Sequence, residues 1–310
     1  MLNPILAFSA TRRMRSFRTI LVVAAYLAVL LGIVLLTMGP LFSGTANIYT
    51  LRRSVACYNV LMIAQFVLIV LIAPAMTSGA IAGERERQTL DLLLVTNTRS
   101  FRIVTGKAME SFAVLALLIV CGFPVMCLTM IAGAVILQQI LAGELFLLAI
   151  AFAAVCVGVF ASSIARTSMT GGIISYLMIL GIAGITTLPL FTDYSDAVTE
   201  IVYNTNKLAA LSPGDALRML SPLLMFNPGY GLVALLQGQT RLLGDLLEYQ
   251  GMGRILCGFT LMNKAGGETV ALISCAAVVL LGAALLLAAT LILRRSAMKT
   301  GGSRGKGSKE

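Results

Sequence analysis

The sequence predicts an all-α integral membrane protein with six transmembrane helices, and three observations carry that prediction. Of its 310 residues, 58% are hydrophobic and only 12% charged, with a mean hydropathy of +0.94, which excludes an ordinary water-soluble domain of this length. Six apolar runs come close to or exceed the ~20 residues needed to cross ~30 Å of hydrocarbon. The basic residues also collect on one side of those runs. With both termini inside, Arg12, Arg13, Arg15, Arg18, Arg85, Arg87, Arg99, Arg102, Lys107, Arg166 and the six basic residues from Arg294 onward are cytoplasmic, against seven outside. The net charge of +10 is therefore read as membrane topology, and no nucleic-acid partner is expected.

Asn3-Pro4 offers a cap and a first-turn proline for an interface helix over residues 3–18. Leu6, Ala10, Met14 and Phe17 share one face and Arg12, Arg15 and Arg18 the other, with Arg13 beside them, so the helix lies on the membrane with its arginines toward anionic lipid headgroups. A signal peptide starts similarly, but the apolar run that follows is too long for a signal core and is read as a retained span. The spans are expected at about 20–42, 55–73, 108–134, 145–164, 171–191 and 270–293. Gly39-Pro40 closes the first, Pro74 the second, and Gly122-Phe123-Pro124 kinks the third. Residues 138–144 are read as a brief outer turn and residues 165–168 as a tight inner one. The span region, residues 1–293, is expected to form one domain, and residues 294–310 a flexible basic cytoplasmic tail.

Residues 192–269 break the rhythm and are expected to form an extracellular helical loop. Ser212-Pro213 and Asn227-Pro228 are cap-plus-proline signals for short helices. Residues 219–236 tempt a seventh span, but Pro222, Asn227, Pro228 and Gly229 would leave backbone groups unpaired in lipid, so a surface or re-entrant segment is expected.

The stretch from 73 to 107 organises the chain. Here an apolar run gives way to G-E-R-E-R-Q-T-L-D-L-L-L, a basic turn and G-K before the next span. Glu84, Arg85, Glu86 and Arg87 open a helix with a polar face, and Asp91 stands four residues beyond Arg87. Leu90, Leu92, Leu93, Leu94 and Val95 form an aliphatic ridge that a solvated loop does not need. This order of elements resembles the ABC-2 type permease family. The resemblance implies that residues 78–107 are a cytoplasmic coupling loop whose helix sits on a separate ABC ATPase subunit, with Glu84, Arg85, Glu86, Arg87, Thr89, Leu90, Asp91 and Leu93 at that interface. It further implies a second permease chain, identical or related, and ATP and Mg held by the ATPase, none in this chain.

Chemistry of its own is not expected. A phosphate loop ending at Gly106-Lys107 would need Gly at 101 and Ser or Thr at 108, where Phe101 and Ala108 stand. With no histidine and no Cys-x-x-Cys spacing, a histidine triad or a catalytic zinc site is excluded. Four cysteines fall inside predicted spans; Cys57 and Cys257 lie nearest the outer face, and a bridge between them stays open. The predicted spans hold no acidic residue near mid-membrane, Glu110 and Glu144 being placed at span ends, which argues against an ion-driven carrier.

The expected function is therefore that of a permease subunit of an ABC exporter in the plasma membrane, in a prokaryotic inner membrane, carrying an apolar or amphipathic substrate. A secondary transporter or channel, and a non-transporting scaffold or sensor, are the alternatives. A gradient-driven flux without any ATPase would identify the first, and ligand binding by the outer helices without transport the second.

Overall fold

A computed structural model of the chain describes residues 17–38, 48–88, 100–132, 135–203, 225–240 and 267–304, and among these every regular element is helical. In order they are α1 (Phe17–Met38), α2 (Ile48–Thr77), the short α3 (Ala82–Glu86), α4 (Ser100–Cys127) with a 3-10 turn at Leu128–Ala132, α5 (Leu137–Ile164), α6 (Ser168–Tyr203), α7 (Pro228–Thr240) and α8 (Gly267–Arg304). Six of them are long and apolar enough to cross a membrane: α1, α2, α4, α5, α6 and α8. The chain is a multi-pass membrane protein.

The bundle is built around α5. Its sequence is apolar on every side, the mark of a mostly buried helix, and only a few side chains such as Leu141 and Leu145 remain exposed. Small residues allow neighbouring backbones to come close. A methyl group at Gly158 would lie 1.8 Å from Thr77 Oγ1 of α2, and one at Gly282 of α8 would lie 3.0 Å from the Ala153 Cα. α2, α4, α6 and α8 pack around it. α1 and α6 stand at the periphery, where Leu35, Leu36, Leu177 and Leu180 remain exposed, as lipid-facing positions require. Pro124 lies in α4, and the helix tightens into the 3-10 turn just beyond it, with Thr129 O accepting from the Ser54 hydroxyl at 2.6 Å.

Several boundaries differ from the sequence reading. α2 starts at Ile48, so Arg52 and Arg53 belong to a helix and not to a loop. α5 starts at Leu137, so residues 138–144, read as a turn from their polarity, are its first two turns. Gln138 stays exposed, while Gln139 is accommodated by pairing within the bundle: Gln139 Nε2 donates to the Gln239 carbonyl at 3.1 Å and Gln239 Nε2 to the Gln139 carbonyl at 3.3 Å. Glu144, expected at the outer end of a span, is consequently buried two turns inside α5. α8 runs through Arg294 and Arg295 to Arg304, where a flexible tail was expected.

Gly122, Gly158, Gly171 and Gly172 are approached by side chains or backbone of the same chain, and Gly181 has open space beside it. Cys57 is a free buried thiol that accepts from Thr37 Oγ1 at 3.0 Å. Cys257, the interface helix 3–18 up to residue 16, and residues 89–99 lie outside the described residues.

Candidate functional site

One end of the bundle carries α3. The chain leaves α2 by a turn in which Ser78 N donates to Pro74 O at 2.9 Å, passes Gly79, and forms α3 with Gly83 N bonded to Gly79 O. Gly83 packs closely: a methyl there would stand 3.3 Å from Ser168 Oγ. At Gln88 the backbone takes φ 57°, a left-handed residue that ends the segment.

This segment is fastened to the turn between α5 and α6. The Ser162 hydroxyl, near the end of α5, accepts from Ile81 N and Ala82 N at 3.0 Å each and donates to Ser78 O at 2.8 Å. Arg85 donates from Nη1 to the Ala165 carbonyl and from Nη2 to the Ser163 carbonyl at 3.1 Å, so a cation satisfies acceptors at the carboxyl end of α5, where the helix dipole favours it. Glu86 accepts from Ser168 N at 3.0 Å and Ser168 Oγ at 2.9 Å, an anion at the amino end of α6. The Ser168 backbone amide, with the hydroxyl beside it, holds the Glu86 carboxyl below the usual carboxylate range. Glu84 pairs with Lys107 of α4 at 3.2 Å, and Lys107 also lies 3.8 Å from Glu110.

The structure thus brings Glu84, Arg85 and Glu86 together with groups from three other helices. Arg87 and Gln88 are exposed at the tip. Thr89, Leu90, Asp91 and Leu93 lie outside the described residues, as do Arg12, Arg13 and Arg15; Arg18 is in the first turn of α1. Sequence reasoning placed Lys107 in the loop as a basic residue without its partner Glu84, and missed Ser162 and Ser168. The Ser162-Ser163 pair closing a span, and Ser168 in a first-turn position, were the available signals.

Deeper in the bundle is a cavity of about 360 Å³ whose walls are almost wholly apolar. Phe66 and Val70 of α2, Ile150 and Val157 of α5, Ala183 of α6 and Leu281 of α8 give its character, with Thr187 and Asn227 as polar positions. α7 forms part of its wall. Asn227 caps that helix, its Oδ1 accepting from Gly229 N at 2.9 Å and Tyr230 N at 3.3 Å, and Pro228 takes the first position, as the sequence signal implies.

The starting end of α7 lies beside the middle of α5 and α8, and Gln239, near its last turn, reaches Gln139 at the start of α5. α7 therefore runs through about half the bundle depth to the end opposite α3; residues 219–224 of the segment expected at the surface or re-entrant lie outside the described residues. Its backbone is helical and its Leu232, Leu235 and Leu236 are buried in the core, so no polar backbone is stranded.

A comparison with protein families matches residues 13–295 to the family described as ABC-2 family transporter protein. Among curated proteins, none matches the chain.

Proposed function

Because the chain belongs to the ABC-2 family of transporter proteins, we propose that this permease works with a separate ABC ATPase subunit, which binds ATP and Mg and docks on the α3 end of the bundle. The α3 end is then cytoplasmic, both termini are inside, and the membrane is the plasma membrane, a prokaryotic inner membrane. A second permease chain completes the pathway, and an apolar or amphipathic substrate moves outward.

The observation that carries this reading is the fastening of residues 78–88 to three spans at once. A push received at Arg87 and Gln88 passes through Ser162 and Arg85 to the end of α5, through Glu86 to the start of α6, and through Lys107 to α4. A solvated surface loop would have no use for such ties. Glu84, Arg85 and Glu86 shape and hold the docking element, while Arg87, with Thr89, Leu90, Asp91 and Leu93 beyond it, meets the ATPase. The apolar cavity supports a cargo with hydrocarbon character, because its walls offer contact area and few polar groups that an ion would need.

The test is reconstitution. Co-expression with its ATPase and purification through a tag on the permease should retain the ATPase in the wild type and lose it in Arg87→Glu, with the permease fold intact by thermal denaturation. Full retention of a coupled ATPase by that variant, or labelling that places residue 87 outside the cell, would overturn the assignment.

A further inference from the structure

On the other flank of α5, away from the cavity, α1, α2, α4 and α5 enclose a polar cluster. Glu144 is 6% exposed, and both of its carboxyl oxygens are shut off from water. The Gln65 amide of α2 lies beside it, donates through Nε2 to the Tyr26 hydroxyl of α1 at 3.0 Å, and leaves Oε1 without a hydrogen bond. The packing is close. A methyl at Gly122 of α4 would come within 2.5 Å of Gln65 Nε2, and one at Gly143 would come 2.6 Å from the Met62 methyl and 3.0 Å from the Tyr58 hydroxyl.

The titratable groups facing this acid are Tyr26 of α1 and Tyr58 of α2, with Cys121 of α4 next to Tyr26. The charges of α3 and of Lys107 and Glu110 pair with one another at the other end of the bundle. Among the described residues, no arginine or lysine opposes it. A carboxylate so placed would have neither solvation nor a counter-charge, so the group is carried as the neutral acid.

What lies between Glu144 and the bundle end opposite α3 is a small polar latch. The Tyr58 hydroxyl donates within reach of the Gln139 carbonyl at 3.0 Å and Gln239 Oε1 at 2.9 Å, and the two glutamines are joined by the reciprocal amide bonds given above. α2, α5 and α7 meet here. Glu144 lies about 10 Å along α5 from its first residue, at 1.5 Å per residue.

We propose that Glu144 is a proton-exchange site, holding a proton in the packing seen here and releasing it to water when α7 leaves Gln139 and Tyr58. In that step the carboxyl O–H bond breaks, a water molecule takes the proton, and the carboxylate left behind is hydrated. The Tyr58 hydroxyl, released from Gln139 and Gln239, turns to donate to it. The site is independent of the ATPase and of the direction of transport, so its failure and the failure of the permease reading are separate results.

The permease chain alone, in lipid nanodiscs, is treated with the apolar reagent dicyclohexylcarbodiimide, which attacks only protonated carboxyls, and the modified peptides are read by mass spectrometry. At pH 8 the wild type should be labelled at Glu144 and not at the exposed Glu268. Glu144→Gln, a neutral replacement for a neutral acid, should fold with an unchanged thermal transition and lose the label. Gln239→Leu opens the latch, and labelling of Glu144 at pH 8 should fall at least fivefold; Tyr58→Phe, which keeps the ring, gives a second reading where that variant folds poorly. Failure of Glu144 to label at pH 8 in the wild type overturns the proposal. So does wild-type labelling in the folded latch variants, which would make the proton a static part of the core.

Discussion

The Ser162 hydroxyl donates to the carbonyl of Ser78, 84 residues away, at 2.8 Å, and this contact joins the exit of α2 to the end of α5. The same oxygen accepts two backbone N–H groups, so a single side chain satisfies three main-chain groups where α3 begins.

Ser162→Ala removes those partners and leaves buried polar backbone unsatisfied. The expected cost is about 2–4 kcal/mol, from roughly 1–3 kcal/mol for each group that water cannot reach. Thermal denaturation of the purified permease checks it, and hydrogen exchange should rise first at Ile81 and Ala82.

Arg85→Lys keeps the charge and loses the fork that serves two carbonyls at once. A loss of about 1–2 kcal/mol is expected. Exchange of residues 78–88 should speed up while α5 itself stays protected, since its middle is held by packing.

Gly158→Ala places a methyl where Thr77 Oγ1 now sits and should destabilise by about 1–3 kcal/mol, as overpacking does in a tight core. Thr77→Ala in the same chain should restore only part of that loss, because it removes Oγ1 but keeps the Thr77 Cβ, 2.7 Å from the added methyl. Gly181→Ala, with open space around it, should stay within about 0.5 kcal/mol of wild type. Equal effects at 158 and 181 would refute the close approach of α2 and α5.

Ala183→Phe projects a ring into the apolar cavity without touching the α3 end. The variant should retain its ATPase on co-purification and lose transport of an apolar fluorescent probe in proteoliposomes by about tenfold or more. Unchanged transport would remove the cavity from the pathway.

Much of the fold was legible in the residues. The six apolar runs match α1, α2, α4, α5, α6 and α8, and Asn227-Pro228 announced the start of α7. The errors fall where a polar residue was taken for an exposed one. Gln138, Gln139 and Glu144 read as a turn because polarity in a chain usually means contact with water, yet Gln139 is paired with Gln239, 100 residues on, and Glu144 is enclosed. The docking segment shows the same division. Its charged order was visible, while the partners of Glu84, Arg85 and Glu86 were not, because Lys107, Ser163 and Ser168 are neighbours only in three dimensions.

By itself the sequence determined that the chain is a multi-pass membrane protein and which of the described segments are long and apolar enough to cross, because transfer into hydrocarbon sums over consecutive residues and needs no partner. Only the tertiary structure decided which polar side chain meets which backbone group, that Ser162 holds the entrance of α3, and that Glu144 is shut away from charge. Those outcomes depend on pairing between helices far apart in the chain, and pairing energies are set by distance and burial, which no local pattern contains.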